Sequence, residues 1–464
     1  MAGWRPDGVE SEDGHGAHAV RRNVLLRLAG IVASALLLAV PGAAVAQTNV
    51  VVIVSDDQSV GSLDGMPYVS KHFEEIETLY DNYALCCPAR ATLFSGLFSH
   101  HTGVESNDGS PFDDSTSFSN WFDDAGYDTA LIGKYLNFYP FDRGRSYVPP
   151  GWDTWAAFMG SSTKDAYYDY QMNVDGRVRK YGSRGRDYST DVVARRGVRF
   201  VNRATKPFLL YAAPHGPHAP FTAAPRHEGM FDDAPIQLPP NFNQAADRAP
   251  RFYRKLPAQD PRREKDKVRA QLAALQSVDE MVKGISDAVE ARGLLDRTVF
   301  LYLSDNGLSL GSHRWNDKSC AYEECGHVPA AIRIPGGADG SGILASNADL
   351  APTLADLADV PAPATDGVSL APQLMGGQRP ADPAVLIRNG GHKLPSFWGL
   401  RTRTWKYVEH GQRAGRPRVE LYNLESDPYE LQNLHGTTDH AGIEATLAER
   451  LEEAKAASPA GPQP

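Results

Sequence analysis

Asn49-Val50-Val51-Val52-Ile53-Val54-Ser55, closed by Asp56-Asp57, is a run of β-branched residues with no polar alternation. Such a run predicts a strand buried on both faces, hence central and parallel. Apolar runs of the same kind recur at Tyr127–Ile132, Pro207–Ala213 and Thr298–Leu303. Helical patterns lie between them. The clearest steps by three and four through Leu275, Val278, Val282, Ile285 and Val289, and Gly293 closes it. Strands alternating with helices predict an α/β protein, with a large, mostly parallel sheet and helices on both faces. Ligands of such sheets gather beyond the strand carboxyl ends, where Asp56-Asp57 and Asp305-Asn306-Gly307 sit. Ala223–Lys267 breaks the pattern, and a loop of that length predicts a surface flap beside the site. Pro, Ala and Gly accumulate at Pro361–Pro383 and mark a linker. Beyond it Ala384–Arg388, Trp398–Val408 and Val419–Tyr422 read as a small antiparallel sheet, with a last helix at Ile443–Ala456. The expected division is therefore 1–46, 47–360, 361–383 and 384–464.

The 464 residues hold 47 Lys plus Arg against 57 Asp plus Glu, a net charge of −10. A bulk basic field for nucleic acid is absent, so an anionic substrate would need a local cluster of positive groups. Four cysteines exclude a disulfide-framework miniprotein. Arg21-Arg22 leads into an apolar run from Leu28 to Val40, then Ala44-Val45-Ala46. A basic start, a short apolar stretch and a small-x-small site read as a signal peptide, and the paired arginines suit twin-arginine export. The run is short for a spanning helix, so after cleavage no stable membrane anchor is expected; an uncleaved anchor is the other reading. The mature chain is expected to be secreted, periplasmic or at the cell surface.

Cys86-Cys87-Pro88-Ala89-Arg90 predicts a helix head, because Pro suits the first turn. Cys86 would then face the free backbone N–H groups and the positive dipole end, which favour an anion. Cys-x-Pro-x-Arg, followed by four residues and then Ser95-Gly96, resembles the signature of the formylglycine-dependent (type I) sulfatases. Matches in family order follow at Gly133-Lys134, Pro214-His215-Gly216-Pro217-His218, Ser304-Asp305-Asn306-Gly307 and Lys318. Leu85-Cys86-Cys87-Pro88, Gly133-Lys134-Tyr135-Leu136-Asn137 and Pro149-Pro150-Gly151-Trp152 resemble the branch of N-acetylglucosamine-6-sulfatases and heparan endosulfatases. The resemblance implies an alkaline-phosphatase-like fold. It also implies conversion of Cys86 to formylglycine (3-oxoalanine) by a formylglycine-generating enzyme.

Asp56, Asp57, Asp305 and Asn306 offer hard oxygens only, a set suited to Ca²⁺ or Mg²⁺. The resemblance implies Ca²⁺, shared with the residue made from Cys86. It also implies that Arg90, Lys134, His218 and Lys318 surround a sulfate, and that the hydrated aldehyde attacks sulfur while His218 or Lys318 protonates the leaving alcohol. One departure stands out: the arylsulfatase pattern has a His where this chain has Leu136. Asn137 follows it as a substrate contact, and His215 is the available stand-in base. Tyr135, Asn137, Tyr139, Trp152 and Trp155 are either a sugar-stacking wall or core. His392 and Lys393 are candidates to reach the site from the C-terminal region. Cys320 and Cys325 either bridge or stay reduced. The implied substrate is a sulfated sugar such as N-acetylglucosamine-6-sulfate. A phosphodiester or phosphonate monoester hydrolase, and a silent calcium-dependent glycan-binding protein, remain as alternatives.

Overall fold

A computed structural model of the protein describes residues 47–160, 167–413 and 416–457. The expected leader, 1–46, lies outside the described residues. Asn49–Ser55 is a strand, and all seven residues are buried. Val50, Val52 and Val54 point into one core, Val51 and Ile53 into another. Burial on both faces is why its sequence shows no alternation.

The strand is the fourth across a nine-stranded sheet. Across it run Glu74–Glu75, Ala330–Arg333, Thr298–Ser304, Asn49–Ser55, Phe208–Ala213, Asp128–Gly133, Thr154–Phe158, Gln171–Val174 and Arg177–Lys180. The five strands from Thr298–Ser304 to Thr154–Phe158 are parallel, and the outer pairings are antiparallel. Parallel direction brings the carboxyl ends of five strands to one edge.

One face is covered by Ser189–Arg203 and Pro261–Ala291, which pack on each other. The second of these is the helix read from Leu275 to Val289, and it begins much earlier than that apolar stripe. Asp260 caps it by accepting from Arg262 N at 2.9 Å, with Pro261 in the first turn. Pro261–Lys267 is thus helix, not loop. The rest of the expected flap is pinned elsewhere. Phe242 bridges to Ser312, Asp247 bridges to Gln432, and Tyr253 is buried against Tyr322. Of the segment 223–267, Lys267 alone borders the main cavity.

The C-terminal antiparallel sheet has four strands: Ala384–Asn389, Phe397–Thr402, Trp405–Arg413 and Arg416–Asn423. The stretch read as one strand at 398–408 is two, turned at Arg403-Thr404. The Ala441–Ala456 helix closes this layer by burying Leu447 and Leu451. Cys320 and Cys325 form a disulfide; Cys86 and Cys87 are free and buried.

Candidate active site

The Cys86–Ser95 helix begins at Cys86 itself. Leu85 precedes it and offers no capping side chain, so the first-turn donors need partners from outside. Asn107 Oδ1 accepts from Cys87 N at 3.2 Å. The helix ends at Gly96, whose φ of 69° is left-handed. Cys86 Sγ lies 2.8 Å from Lys318 Nζ and 4.0 Å from one oxygen each of Asp56 and Asp57. Burial pushes the Cys86 thiol up to about 11, with the Lys134 and Lys318 charges opposing. At neutral pH it is therefore a thiol and a weak nucleophile as it stands.

The acid cluster follows from strand register. Ser55 pairs with Ser304, so the residues just after each strand meet side by side. Asp57 N donates to Asp305 Oδ1 at 3.1 Å, and Asn306 Nδ2 donates to Asp57 Oδ1 at 2.7 Å. Asp57 sits at φ 57°, a left-handed conformation uncommon outside glycine and typical of constrained sites. One ligand atom from each of Asp56, Asp57, Cys86 and Asp305 falls within 4.8 Å of the others. The Asn306 side-chain oxygen is buried and has no partner among the described residues. An unpaired amide oxygen beside three carboxylates fits a hard divalent cation.

Cations balance these acids. Lys134 Nζ reaches Asp56 Oδ2 at 2.7 Å and Asp305 Oδ2 at 3.3 Å, and Lys318 pairs with Asp57. Burial works against ionisation of Asp56, yet Lys134 and His218, with the His215 hydrogen bond, hold it well below the usual carboxylate range. Arg90 stands apart from the others. It is fully buried, gives Nε to Asp305 Oδ2 at 2.8 Å and Nη1 to Lys134 O and Tyr211 Oη at 3.1 Å, and is not on the cavity wall. It braces Asp305 and Lys134 from behind instead of facing the pocket.

His218 Nε2 lies 3.2 Å from Asp57 Oδ2, and its Nδ1 lies 2.7 Å from Ala219 O. Both ring nitrogens thus face acceptors. His215 Nδ1 lies 3.6 Å from Asp56 Oδ2, and its ring stacks on Phe158 at 4.2 Å between centroids. Burial lowers the His215 pKa against the opposing pull of Asp56.

These groups open onto a cavity of about 1000 Å³. Asp56, Asp57, Cys86, Lys134, Asn137, His215, His218 and Lys318 line it, and so do His392 and Lys393 from the C-terminal region. Of the aromatics read as either a sugar-stacking wall or core, Trp152 and Trp155 lie in the core and away from the cavity, while Tyr135 and Tyr139 back it with almost fully buried rings. Sequence reasoning missed Asn107 and Phe158. A helix opening without a capping residue was the available signal for Asn107; for Phe158, one apolar position in a strand, there was none.

An open α/β sheet with an acid cluster, a cation pair and a helix-head cysteine at its carboxyl edge defines the class: a site whose acidic groups could hold a metal. The sulfatase family profile matches residues 48–360, and that of the N-sulphoglucosamine sulphohydrolase C-terminal region matches 311–457. The chain belongs to the sulfatase family. It is 32% identical to the Drosophila melanogaster extracellular sulfatase SULF-1 homolog over 71% of this chain, and spans 32% of that protein's length. With the human N-acetylglucosamine-6-sulfatase it shares 29% identity over 84% of this chain and 81% of the other. A solved structure of BT4656 in complex with its substrate D-glucosamine-2-N,6-O-disulfate superposes with a TM-score of 0.77 at 25% identity, covering 89% of this chain and 99% of the other.

Proposed function

We infer that this protein hydrolyses the sulfate ester of a sulfated sugar such as N-acetylglucosamine-6-sulfate. The observation that carries the reading is Cys86 at the helix head, 2.8 Å from the Lys318 ammonium and 4.0 Å from the Asp56 and Asp57 carboxylates. The names of the human and bacterial relatives support the substrate class. The division expected from the sequence, with 47–360 catalytic, 361–383 a linker and 384–464 a C-terminal part, is kept in this reading. So is export by the leader 1–46, which the extracellular relatives support. Among the described residues no helix is long and apolar enough to cross a membrane.

Asp56, Asp57, Asp305 and Asn306 would hold Ca²⁺, or Mg²⁺ in its place, which would supply Lewis acidity. A formylglycine made from Cys86 by a formylglycine-generating enzyme would supply a hydrate with one hydroxyl as nucleophile and a second for sulfate release. The remaining roles belong to the chain. Lys134 and Lys318 hold the charge that develops on the transferred group, in a site where burial strengthens them. His218 gives a proton to the leaving alcohol. Neutral His215 accepts the proton when sulfate departs, the role left open by Leu136. Arg90 keeps Asp305 and the Lys134 backbone in place.

The test is sulfate release from 6-sulfated N-acetylglucosamine, with matched phosphate and phosphonate esters in parallel. Cys86→Ala is expected to lower sulfate release by roughly three or more orders of magnitude with an unchanged melting profile. The Cys86 peptide of active protein is expected to be about 18 Da lighter than a cysteine peptide. Preferred cleavage of the phosphorus esters would transfer the site to the phosphonate monoester reading. Sugar binding without turnover, with unmodified Cys86, would make it a lectin-like protein.

A further inference from the structure

The first strand of the C-terminal sheet ends against the reaction site. Asn389 is the last residue of Ala384–Asn389 and is 1% exposed. Its side-chain amide meets four groups from three stretches of chain. Oδ1 accepts from Tyr83 Oη at 3.0 Å, Gly391 N at 2.9 Å and His392 N at 3.0 Å. Nδ2 donates to Ser319 O at 2.8 Å. Three donors on one side and a carbonyl on the other fix which way the amide faces. Of the side chains closest in shape, Asp lacks the donor and Leu lacks both arms.

Each arm leads to the cavity. Ser319 follows Lys318, whose Nζ lies 2.8 Å from Cys86 Sγ. Ser319 is buried at φ 67°, a left-handed conformation that a residue with a side chain holds only when its surroundings impose it. Two bonds impose it here. Asn389 Nδ2 holds its carbonyl, and its own Oγ donates to Ala84 O at 2.9 Å, two residues before Cys86. Lys318 carries its charge on a flexible four-carbon stem, so the place of the ammonium depends on where this backbone is held. The oxygen arm takes the N–H groups of Gly391 and His392. The loop that brings His392 and Lys393 to the cavity wall is thus folded around the same amide.

We propose that Asn389 is a positioning residue for sulfate-ester hydrolysis: its N–H₂ arm sets the Lys318 ammonium against Cys86, and its oxygen arm sets the loop of His392 and Lys393. This rests on the sulfatase reading above. The two arms have separate kinetic consequences. Lys318 acts on charge that develops in the transition state, so displacing it lowers kcat. The loop faces bound substrate, so displacing it raises KM.

The test compares wild type, Asn389→Asp and Asn389→Leu in the full chain, with 6-sulfated N-acetylglucosamine as the probe. Asn389→Asp keeps the oxygen arm and turns a second oxygen toward Ser319 O. It is expected to lower kcat about ten-fold or more, with KM within about two-fold of wild type. Asn389→Leu removes both arms without adding a buried charge. It is expected to lower kcat alike and to raise KM about five-fold or more. Amide hydrogen exchange is read on the same proteins. Faster exchange is expected at Lys318 and Ala321 in both variants, and at Gly391 and His392 in Asn389→Leu alone. Lower melting with wild-type kcat and KM would make Asn389 a purely structural residue and overturn the proposal, as would a chain that folds with neither replacement. A rise in KM in both variants with kcat unchanged overturns the Lys318 arm. If wild type releases no sulfate, the sulfatase reading fails on its own. Exchange then decides the positioning role: the arm-specific pattern supports it, and unchanged or uniformly faster exchange overturns it.

Discussion

Asn306 shows how little freedom a single side chain has at this site. Its amide N–H₂ is spent on Asp57 Oδ1 and Gly307 O, which fixes the orientation and leaves the oxygen buried and unmatched. A cation there removes the cost of that orphan and the repulsion among Asp56, Asp57 and Asp305. Ca²⁺ is therefore expected to raise the melting temperature of the wild-type protein, and Asn306→Ala to shift the Ca²⁺ concentration needed upward by about ten-fold or more. An unchanged Ca²⁺ midpoint in that variant would remove Asn306 from the ligand set. Gly133 is the second fixed point. Its φ is 121°, and a Cβ built on it would lie 1.9 Å from Ala213 O, the same oxygen that accepts from Lys134 N at 2.7 Å. Gly133→Ala must push two central strands apart or move Lys134, and is expected to cost about 4 kcal/mol or more in denaturant unfolding. Much of this scale was legible in the sequence: Cys86, Asp56-Asp57, Asp305-Asn306, Lys134 and Lys318 carry their chemistry in residue type. What residue type could not tell is direction. Arg90 shares the motif with Cys86, yet it turns away from the cavity to brace Asp305.

Between elements, the short Ser99–Thr102 helix meets the C-terminal sheet through His100. Its ring stands edge-on to Trp398 at 5.2 Å and beside His101 at 4.1 Å, and neither of its nitrogens has a hydrogen-bond partner among the described residues. Burial, with help from the neighbouring His101 and Arg388 charges, lowers its pKa from 6.5 to about 4. The unfolded chain therefore binds a proton that the folded chain refuses between those two values, so stability falls as pH drops from 6.5 toward 4. His100→Leu is expected to flatten that part of the curve of unfolding midpoint against pH, by up to one proton's worth of slope. Superimposable curves for the two proteins would show that the ring titrates freely. This junction was not readable beforehand, since a His-His pair in a polar stretch has no periodicity to mark it. The elements themselves were readable wherever burial is two-sided or a stripe is long, as in Asn49–Ser55 and Leu275–Val289. Boundaries failed where the cause was a contact distant in sequence. The segment 223–267 is held by partners near residues 312, 322 and 432, so its composition alone suggested a flap.

At the scale of the whole molecule, one buried lysine joins three parts of the fold. Lys406 belongs to the C-terminal sheet and is fully buried. Its Nζ contacts Tyr80 Oη at 3.1 Å at the end of the Thr78–Tyr80 strand, Glu430 Oε1 at 2.6 Å in the tail, and Glu323 Oε1 at 2.9 Å. Glu323 sits inside the Cys320–Cys325 loop that follows Lys318, so the C-terminal sheet bears on the catalytic edge through an ion pair. Burial raises the Glu430 carboxyl to about 8, against the pull of Lys406 and with the Glu323 charge adding to it, while Lys406 and Arg401 overcome burial to hold Glu323 well below its usual range. Two acids thus share one ammonium, and removing it strands at least one buried charge. Lys406→Met is expected to cost about 3–5 kcal/mol in denaturant unfolding, because the loss of one member of a buried pair leaves the other uncompensated. Glu323→Gln in the same chain removes the acid that stays charged and is expected to recover part of that loss. The coupling measured by the double-mutant cycle should therefore be positive and exceed about 1 kcal/mol. If Lys406→Met unfolds within about 0.5 kcal/mol of wild type, the network is solvated in solution, and the C-terminal sheet is joined to the catalytic part by its other contacts.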